Sequence, residues 1–158
     1  MTIEHLTADA SPERLRALER AFAELHASLR ADGYQAELVE GGANLWLQGQ
    51  LPMLGRITTI ACAWQGDNLQ GFAAGSIRVA PAYVGGTRSG AVTLIHVEPA
   101  VRRTGLGLAL FGSLEDWFRA REVAGIELEV LPKNAAGLAF WERLGFRTVH
   151  FAMRRSLD

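Results

Sequence analysis

Ala91-Val92-Thr93-Leu94-Ile95-His96-Val97-Glu98-Pro99-Ala100-Val101-Arg102-Arg103-Thr104-Gly105-Leu106-Gly107 is the stretch on which the fold turns. Its first seven residues form an apolar, β-branched run closed by Glu98-Pro99, which predicts a strand. Beyond Gly107, the residues Leu110, Leu114, Trp117, Phe118 and Arg121 mark one stripe of a helix. Between strand and helix lie two cations and two glycines. Glycine lets a ligand approach the backbone, the first amides of a helix lack internal partners, and the helix dipole favours negative charge there. The segment therefore predicts an anion cradle for phosphate or pyrophosphate. Its ordinary alternative is a tight strand-to-helix turn flanked by surface arginines, and the surrounding sequence has to decide.

Upstream, Thr2 to Leu6 predicts a short strand. Ser11-Pro12 supplies a hydroxyl N-cap with proline at the first helical position. Leu15, Leu18, Phe22, Leu25 and Leu29 then repeat at helical spacing up to Asp32-Gly33, an amphipathic helix with a core-facing stripe. Residues 35–55 mix Gly41-Gly42 with Leu45, Trp46, Leu47, Leu51 and Met53, and predict a short helix contributing to a substrate wall. Ile57 to Trp64 and Leu69 to Val79 predict two strands joined at Gln65-Gly66-Asp67-Asn68. Ala80 to Gly90 is a loop rich in proline and glycine. Downstream, the helix is expected to reach about Glu122, followed by a strand over Gly125 to Leu131. A short helix over Asn134 to Leu144 stops at Gly145, and Val149, Phe151 and Met153 alternate as a final strand.

The 158 residues suit one domain, 1–158, with a real core. Hydrophobic residues make up 49% and charged ones 21%, a globular rather than a disordered composition. The net charge of −1 argues against nucleic acid as a general partner. No run is long enough to span a membrane, and polar Thr2 to Asp9 lacks a signal-peptide layout. A single cysteine, Cys62, sits among Ile60, Ala61, Ala63 and Trp64, which predicts a buried structural thiol in a reducing cytoplasm. Four scattered histidines and one cysteine show no metal-ligand spacing, so no metal is expected.

A nucleoside-triphosphate P-loop is excluded, because no Gly-x-x-x-x-Gly-Lys-Ser/Thr is present. A dinucleotide fingerprint fares little better. Glu127 follows Gly107 at a suitable distance, but Leu110 occupies the third glycine position and the motif follows a hairpin. Instead, Arg102-x-x-Gly105-x-Gly107 after a Val-x-Pro strand end resembles the acetyl-coenzyme A loop of the GNAT N-acetyltransferase superfamily. Leu128-Glu129-Val130, Asn134 and Phe140-Trp141-Glu142-Arg143-Leu144-Gly145-Phe146 are similar to that family's second motif, so the resemblance runs from about Ile95 to Phe146. It implies a three-layer α+β fold: a mixed, mainly antiparallel sheet with a central parallel β-α-β step, and helices on both faces.

The resemblance also implies site residues. The pyrophosphate of acetyl-coenzyme A would lie on the amides of Thr104, Gly105, Leu106, Gly107, Leu108 and Ala109, with Arg102 and Arg103 adding charge. Its pantetheine arm would pair with the strand at His96, Val97 and Glu98, and Asn134 would reach it from the next helix. Asn134 is equally a helix N-cap. Glu129 stands where GNATs resembling ribosomal-protein N-terminal acetyltransferases carry a catalytic glutamate, while a solvated strand carboxylate is its other reading. Trp141 occupies the slot in which many relatives carry a tyrosine acid. An indole N–H can donate a hydrogen bond but is no practical proton source, so Trp141 is expected to pack against the acetyl and sulfur atoms. The acid is then Tyr34, Tyr83, His96, His150 or water. The expected activity is acetyl transfer from acetyl-coenzyme A to a primary amine in a ternary complex, with a homodimer as a further expectation. A non-catalytic acyl-coenzyme A binder with a degenerate site is the alternative.

Overall fold

A computed structural model describes residues 1–158. Strand β1 (Thr2–His5) is followed by helix α1 (Pro12–Ala31), helix α2 (Gly42–Gln50), β2 (Thr58–Gln65), β3 (Asn68–Val79) and β4 (Arg88–Val97). Helix α3 (Leu106–Arg119), β5 (Ile126–Leu128) and helix α4 (Ala135–Arg143) complete the chain. One five-stranded sheet runs in the order β1-β2-β3-β4-β5. The first three pairings are antiparallel and β4–β5 is parallel, with α3 as the crossover.

Local chemistry accounts for the element ends. The Ser11 hydroxyl accepts from the Arg14 N–H with Pro12 at the first turn, and Gly33 at φ 102 follows the end of α1. The β2–β3 hairpin turns through Gly66-Asp67 between the paired Gln65 and Asn68, with Gly66 at φ 60. Strand alternation then divides the core between the two faces of the sheet. Ile60, Cys62, Trp64, Phe72 and Ala74 pack under Leu18, Phe22 and Leu25 of α1 and Leu47 of α2. Ala61, Ala63, Ala73 and Val92 pack under Leu110, Phe111, Leu114 and Phe118 of α3. Cys62 is wholly buried, as expected, and burial pushes its thiol pKa up to about 12.

Two glycines make the α3 face close. A Cβ at Gly75 or at Gly90 would come within 2.8 Å of the Phe118 ring, so the ring rests on bare backbone.

The sequence reading needs four corrections. Strand β4 begins at Arg88, inside the expected loop, because its first residues Arg88, Ser89 and Gly90 pair with Val79, Arg78 and Ile77. Helix α3 ends at Arg119, and Glu122 at φ 54 already lies in the left-handed region. Strand β5 covers Ile126–Leu128 rather than residues 125–131, because β4 pairs with it over three residues only. The expected final strand is absent: residues 147–158 carry no helix or strand, and Val149, Phe151 and Met153 are 83%, 87% and 96% exposed. Alternation alone makes a strand only where a partner offers free N–H and C=O groups. The short β5 offers very few. No helix is long and apolar enough to cross a membrane.

Candidate active site

Strands β4 and β5 pair only through Gly90↔Ile126, Ala91↔Glu127 and Val92↔Leu128. The next residue, Thr93, is an extra one in β4: Gly75 of β3 opposes Val92, and Ala74 opposes Leu94. A bulge bends the strand and raises its local twist. The Thr93 hydroxyl donates to the Ala74 carbonyl at 3.1 Å and ties the bulge down. Beyond it the parallel strands part, and β4 continues to Val97 with its β5 side open.

Glu98 N–H donates to the Gln70 carbonyl at 2.9 Å, on the β3 side. Ladder alternation turns the His96 backbone the same way, so Ile95 and Val97 present theirs to the gap. Of His96, Val97 and Glu98, expected together as the cofactor-pairing strand, Val97 alone has that orientation. Its carbonyl already accepts from Arg102 Nε at 2.9 Å, which leaves its N–H.

The glycine loop lies at the open end of this gap. Gly105, at φ 90, is the N-cap of α3 and supplies no side-chain cap. Ala109 N–H bonds back to the Gly105 carbonyl at 3.0 Å, so Leu106, Gly107 and Leu108 carry the helix's unpartnered amides. The expected cradle of residues 104–109 is therefore shorter at its end, because the Ala109 amide is committed to the helix. Leu106 is buried and pins the helix start, while Leu108 is exposed. The Thr104 hydroxyl donates to the Val101 carbonyl at 2.7 Å and braces the loop. Arg102 is tethered through its Nε, whereas Arg103 stands exposed at φ 63. An uncapped helix start beside an exposed guanidinium suits an anion.

Glu129 lies one residue past β5 and is exposed. Leu128 and Val130 on either side pack into the α3 core, so alternation sends Glu129 to the opposite, α1 face. His96 lies on that same face across the gap, against Phe72. Its Nε2 is 3.4 Å from Glu98 Oε1 and 3.9 Å from Glu24 Oε2 of α1, with the imidazole almost fully buried. Glu24 had no signal in the sequence beyond the polar side of an amphipathic helix. Asn134 Oδ1 caps α4 by accepting from Gly137 N–H at 2.9 Å, and its carboxamide covers the Gly137 Cα so closely that a Cβ there would lie 2.5 Å from it. Trp141 is only 5% exposed and sits edge-on to Phe111, Phe140 and Phe146 at 4.8 to 5.4 Å. It supports α3 from within the core, and this corrects the expectation that it lines the acetyl site.

Among the proposed alternatives for the acid, Tyr83 is 88% exposed in the β3–β4 connection and His150 lies in the extended tail. Tyr34 and His96 remain on the α1 face. Next to the bulge on that face is a cavity of about 400 Å³, lined by Tyr34 in the α1–α2 connection and by residues of α1, α2, β2, β3 and β4 that include Phe22, His26, Trp46 and Thr93. Of these, the sequence pointed to Tyr34 as a candidate acid and to the α2 region as a substrate wall. Which strand hydroxyls would share a floor depended on register.

An uncapped helix start beside strands parted at a bulge is an anion-binding arrangement on a mixed α+β sheet, and comparison with known proteins shows the family to which it belongs. The sequence matches the Acetyltransferase (GNAT) family over residues 16–146, and the chain belongs to that family. A 52-residue segment is 48% identical to the [Ribosomal protein bS18]-alanine N-acetyltransferase of Escherichia coli K12, covering 33% of this chain and 35% of that relative. The chain thus spans about a third of the length of this relative. Two solved structures share the fold. An aminoglycoside N-acetyltransferase, AAC(6')-Iy, in complex with CoA superposes with a TM-score of 0.77 at 17% identity, over 99% of this chain and 95% of that one. The ribosomal-protein-alanine N-acetyltransferase of Brucella melitensis biovar Abortus 2308 has a TM-score of 0.66 at 22% identity, over 98% and 100%.

Proposed function

We propose that this GNAT-family chain transfers an acetyl group from acetyl-coenzyme A to a primary amine within a ternary complex. The observation that carries this reading is the parting of β4 and β5 at the Thr93 bulge, with the uncapped start of α3 at its open end. The pyrophosphate would rest on the amides of Leu106, Gly107 and Leu108, with Arg103 supplying charge. The pantetheine arm would lie along the open side of β4 and meet the Val97 N–H. The acetyl carbonyl would then lie by the bulge, beside the cavity.

Transfer begins when the amine nitrogen, as the neutral base, attacks the thioester carbon. The N–C bond forms, the C–S bond breaks, the nitrogen loses a proton and the thiolate of coenzyme A departs. Glu129 takes that proton directly or through water, since it projects to the face that holds the cavity. His96 returns a proton to the thiolate, with Glu98 and Glu24 holding its imidazole. A cytoplasmic setting fits the lone reduced thiol of Cys62. A homodimer rests on the family resemblance alone.

Two measurements test the proposal. Calorimetry should show acetyl-coenzyme A binding, and thiol release should appear with an amine panel. Glu129→Gln should lower kcat by about 10²-fold, the scale of general-base catalysis, with an unchanged melting temperature. Tight cofactor binding with no thiol release from any amine, and no effect of Glu129→Gln, would establish instead the non-catalytic binder. That reading draws on the absence of tyrosine at Trp141. Absence of binding would overturn both.

A further inference from the structure

The cavity beside the bulge lacks what a multiply charged acceptor needs. None of its lining residues is Asp, Glu, Lys or Arg. A polyamine or aminoglycoside brings several ammonium groups, and a cavity without a carboxylate in its lining leaves them unpaired. The walls are aromatic instead. Trp46 stacks on Phe22 with ring centres 4.2 Å apart and planes 3° from parallel, and Tyr34 meets His26 edge-on at 5.5 Å.

The floor is a row of three hydroxyls crossing the sheet: Thr93 on β4, Ser76 on β3 and Thr58 on β2. Thr58 and Ser76 are direct cross-strand partners. On β4 the partner of Ser76 is Ala91, and Thr93 lies two residues further along that strand, so the three hydroxyls cross the sheet on a diagonal. Thr93 is satisfied by Ala74. Thr58 Oγ1 is buried with no partner, and it is the one buried side-chain oxygen or nitrogen left in that state. A buried polar atom without a partner is rare enough to call for a ligand or water.

We infer that the acceptor is a primary arylalkylamine, a single ammonium joined by a short aliphatic arm to an aromatic ring. The amine lies at Thr93, the ring lies between the Trp46–Phe22 stack and Tyr34, and a polar substituent at the far end of the ring bonds to Thr58 Oγ1. This rests on the transfer reading above. The step is the same: the ammonium first gives one proton to solvent, the neutral alkyl nitrogen then takes the acetyl group and loses a second proton, and coenzyme A leaves as the thiol.

Thiol release is compared for tyramine, phenylethylamine, spermidine, kanamycin and a peptide with an N-terminal alanine. The expected result is a kcat/KM for tyramine at least tenfold above those of spermidine, kanamycin and the peptide, and several-fold above that of phenylethylamine. Thr58→Val should abolish the preference for tyramine over phenylethylamine while keeping the KM for acetyl-coenzyme A. Tyr34→Ala, at a partly exposed ring that should not endanger folding, should raise the tyramine KM several-fold. Calorimetry of tyramine on the protein separates this inference from the transfer reading. Tyramine binding without thiol release keeps the cavity's ligand class and sinks transfer. Thiol release that favours spermidine, kanamycin or the peptide sinks the ligand class and keeps transfer. An unchanged tyramine preference in Thr58→Val overturns the role given to that hydroxyl.

Discussion

On the α3 face of the sheet, Phe118 lies on the bare backbone of Gly75 and Gly90 so closely that one added carbon would collide with it. On the α1 and α2 face, larger rings lean across the strands and leave a cavity of about 400 Å³ between them. The same strands serve both faces. What differs is the size of the residues facing each layer: Ala61, Ala63 and Ala73 with the two glycines let α3 settle tightly, while aromatic rings hold α1 and α2 off the middle of β4. A rigid layer positions the helix start that would hold the cofactor, and a looser one leaves room for an acceptor. Precision and accommodation are thus assigned to opposite sides of one sheet.

The contrast can be broken most forcefully at Phe118. Replacing it with alanine should cost about 3–5 kcal/mol in urea unfolding, because the ring is wholly buried and its neighbours are glycines that cannot collapse into the void. A loss below about 1 kcal/mol would show that the α3 face is not the rigid layer. Next comes Gly105→Glu. A side chain at φ 90 costs about 1–2 kcal/mol of strain, and the carboxylate should weaken acetyl-coenzyme A binding at least tenfold by calorimetry. Unchanged affinity would remove the cradle from the argument.

A smaller effect should come from His5, which ties β1 to β2 and to α3 on the tightly packed face. Its Nδ1 meets Thr59 Oγ1 at 2.5 Å and its Nε2 meets Ser113 of α3 at 3.0 Å. Burial first, and the Arg121 guanidinium second, hold its pKa below the ordinary 6.5. The unfolded chain therefore binds more protons than the fold in that range. The contribution is fully present above pH 6.5 and is lost as the pH falls through 6.5 towards the folded value. Urea midpoints should drop less in His5→Gln than in the parent between pH 7 and pH 5. An equal drop in both would assign the acid sensitivity elsewhere. The mildest test is Cys62. With its thiol pKa at about 12 and the group buried, a thiol reagent at neutral pH should label the native protein only at the rate of unfolding.

The half proposed to hold the cofactor was largely legible in the sequence. Its signals are local: a β-branched run, a proline stop, two glycines at a helix start, and a helical stripe, each interpreted within a few residues. The half proposed to hold the acceptor was not. Thr58, Ser76 and Thr93 are far apart in the chain and share a floor only because β2, β3 and β4 pair in one register with a bulge at one position. Glu24 joins His96 because α1 crosses over β4, which no periodicity reveals. Trp141 misled through its motif slot, since the residue type says nothing about whether a ring faces the cleft or the aromatic core.

By itself, then, the sequence determined the family, the strand-loop-helix of residues 91–119 and the burial of Cys62, because backbone propensity and amphipathic period act over short spans. Only the tertiary structure decided where β4 leaves β5, which amides of α3 stay free and how large the cavity is. It also decided that residues 147–158 stay unpaired. Those outcomes depend on partners brought together from distant parts of the chain, and an alternating pattern without a partner edge has no ladder to join.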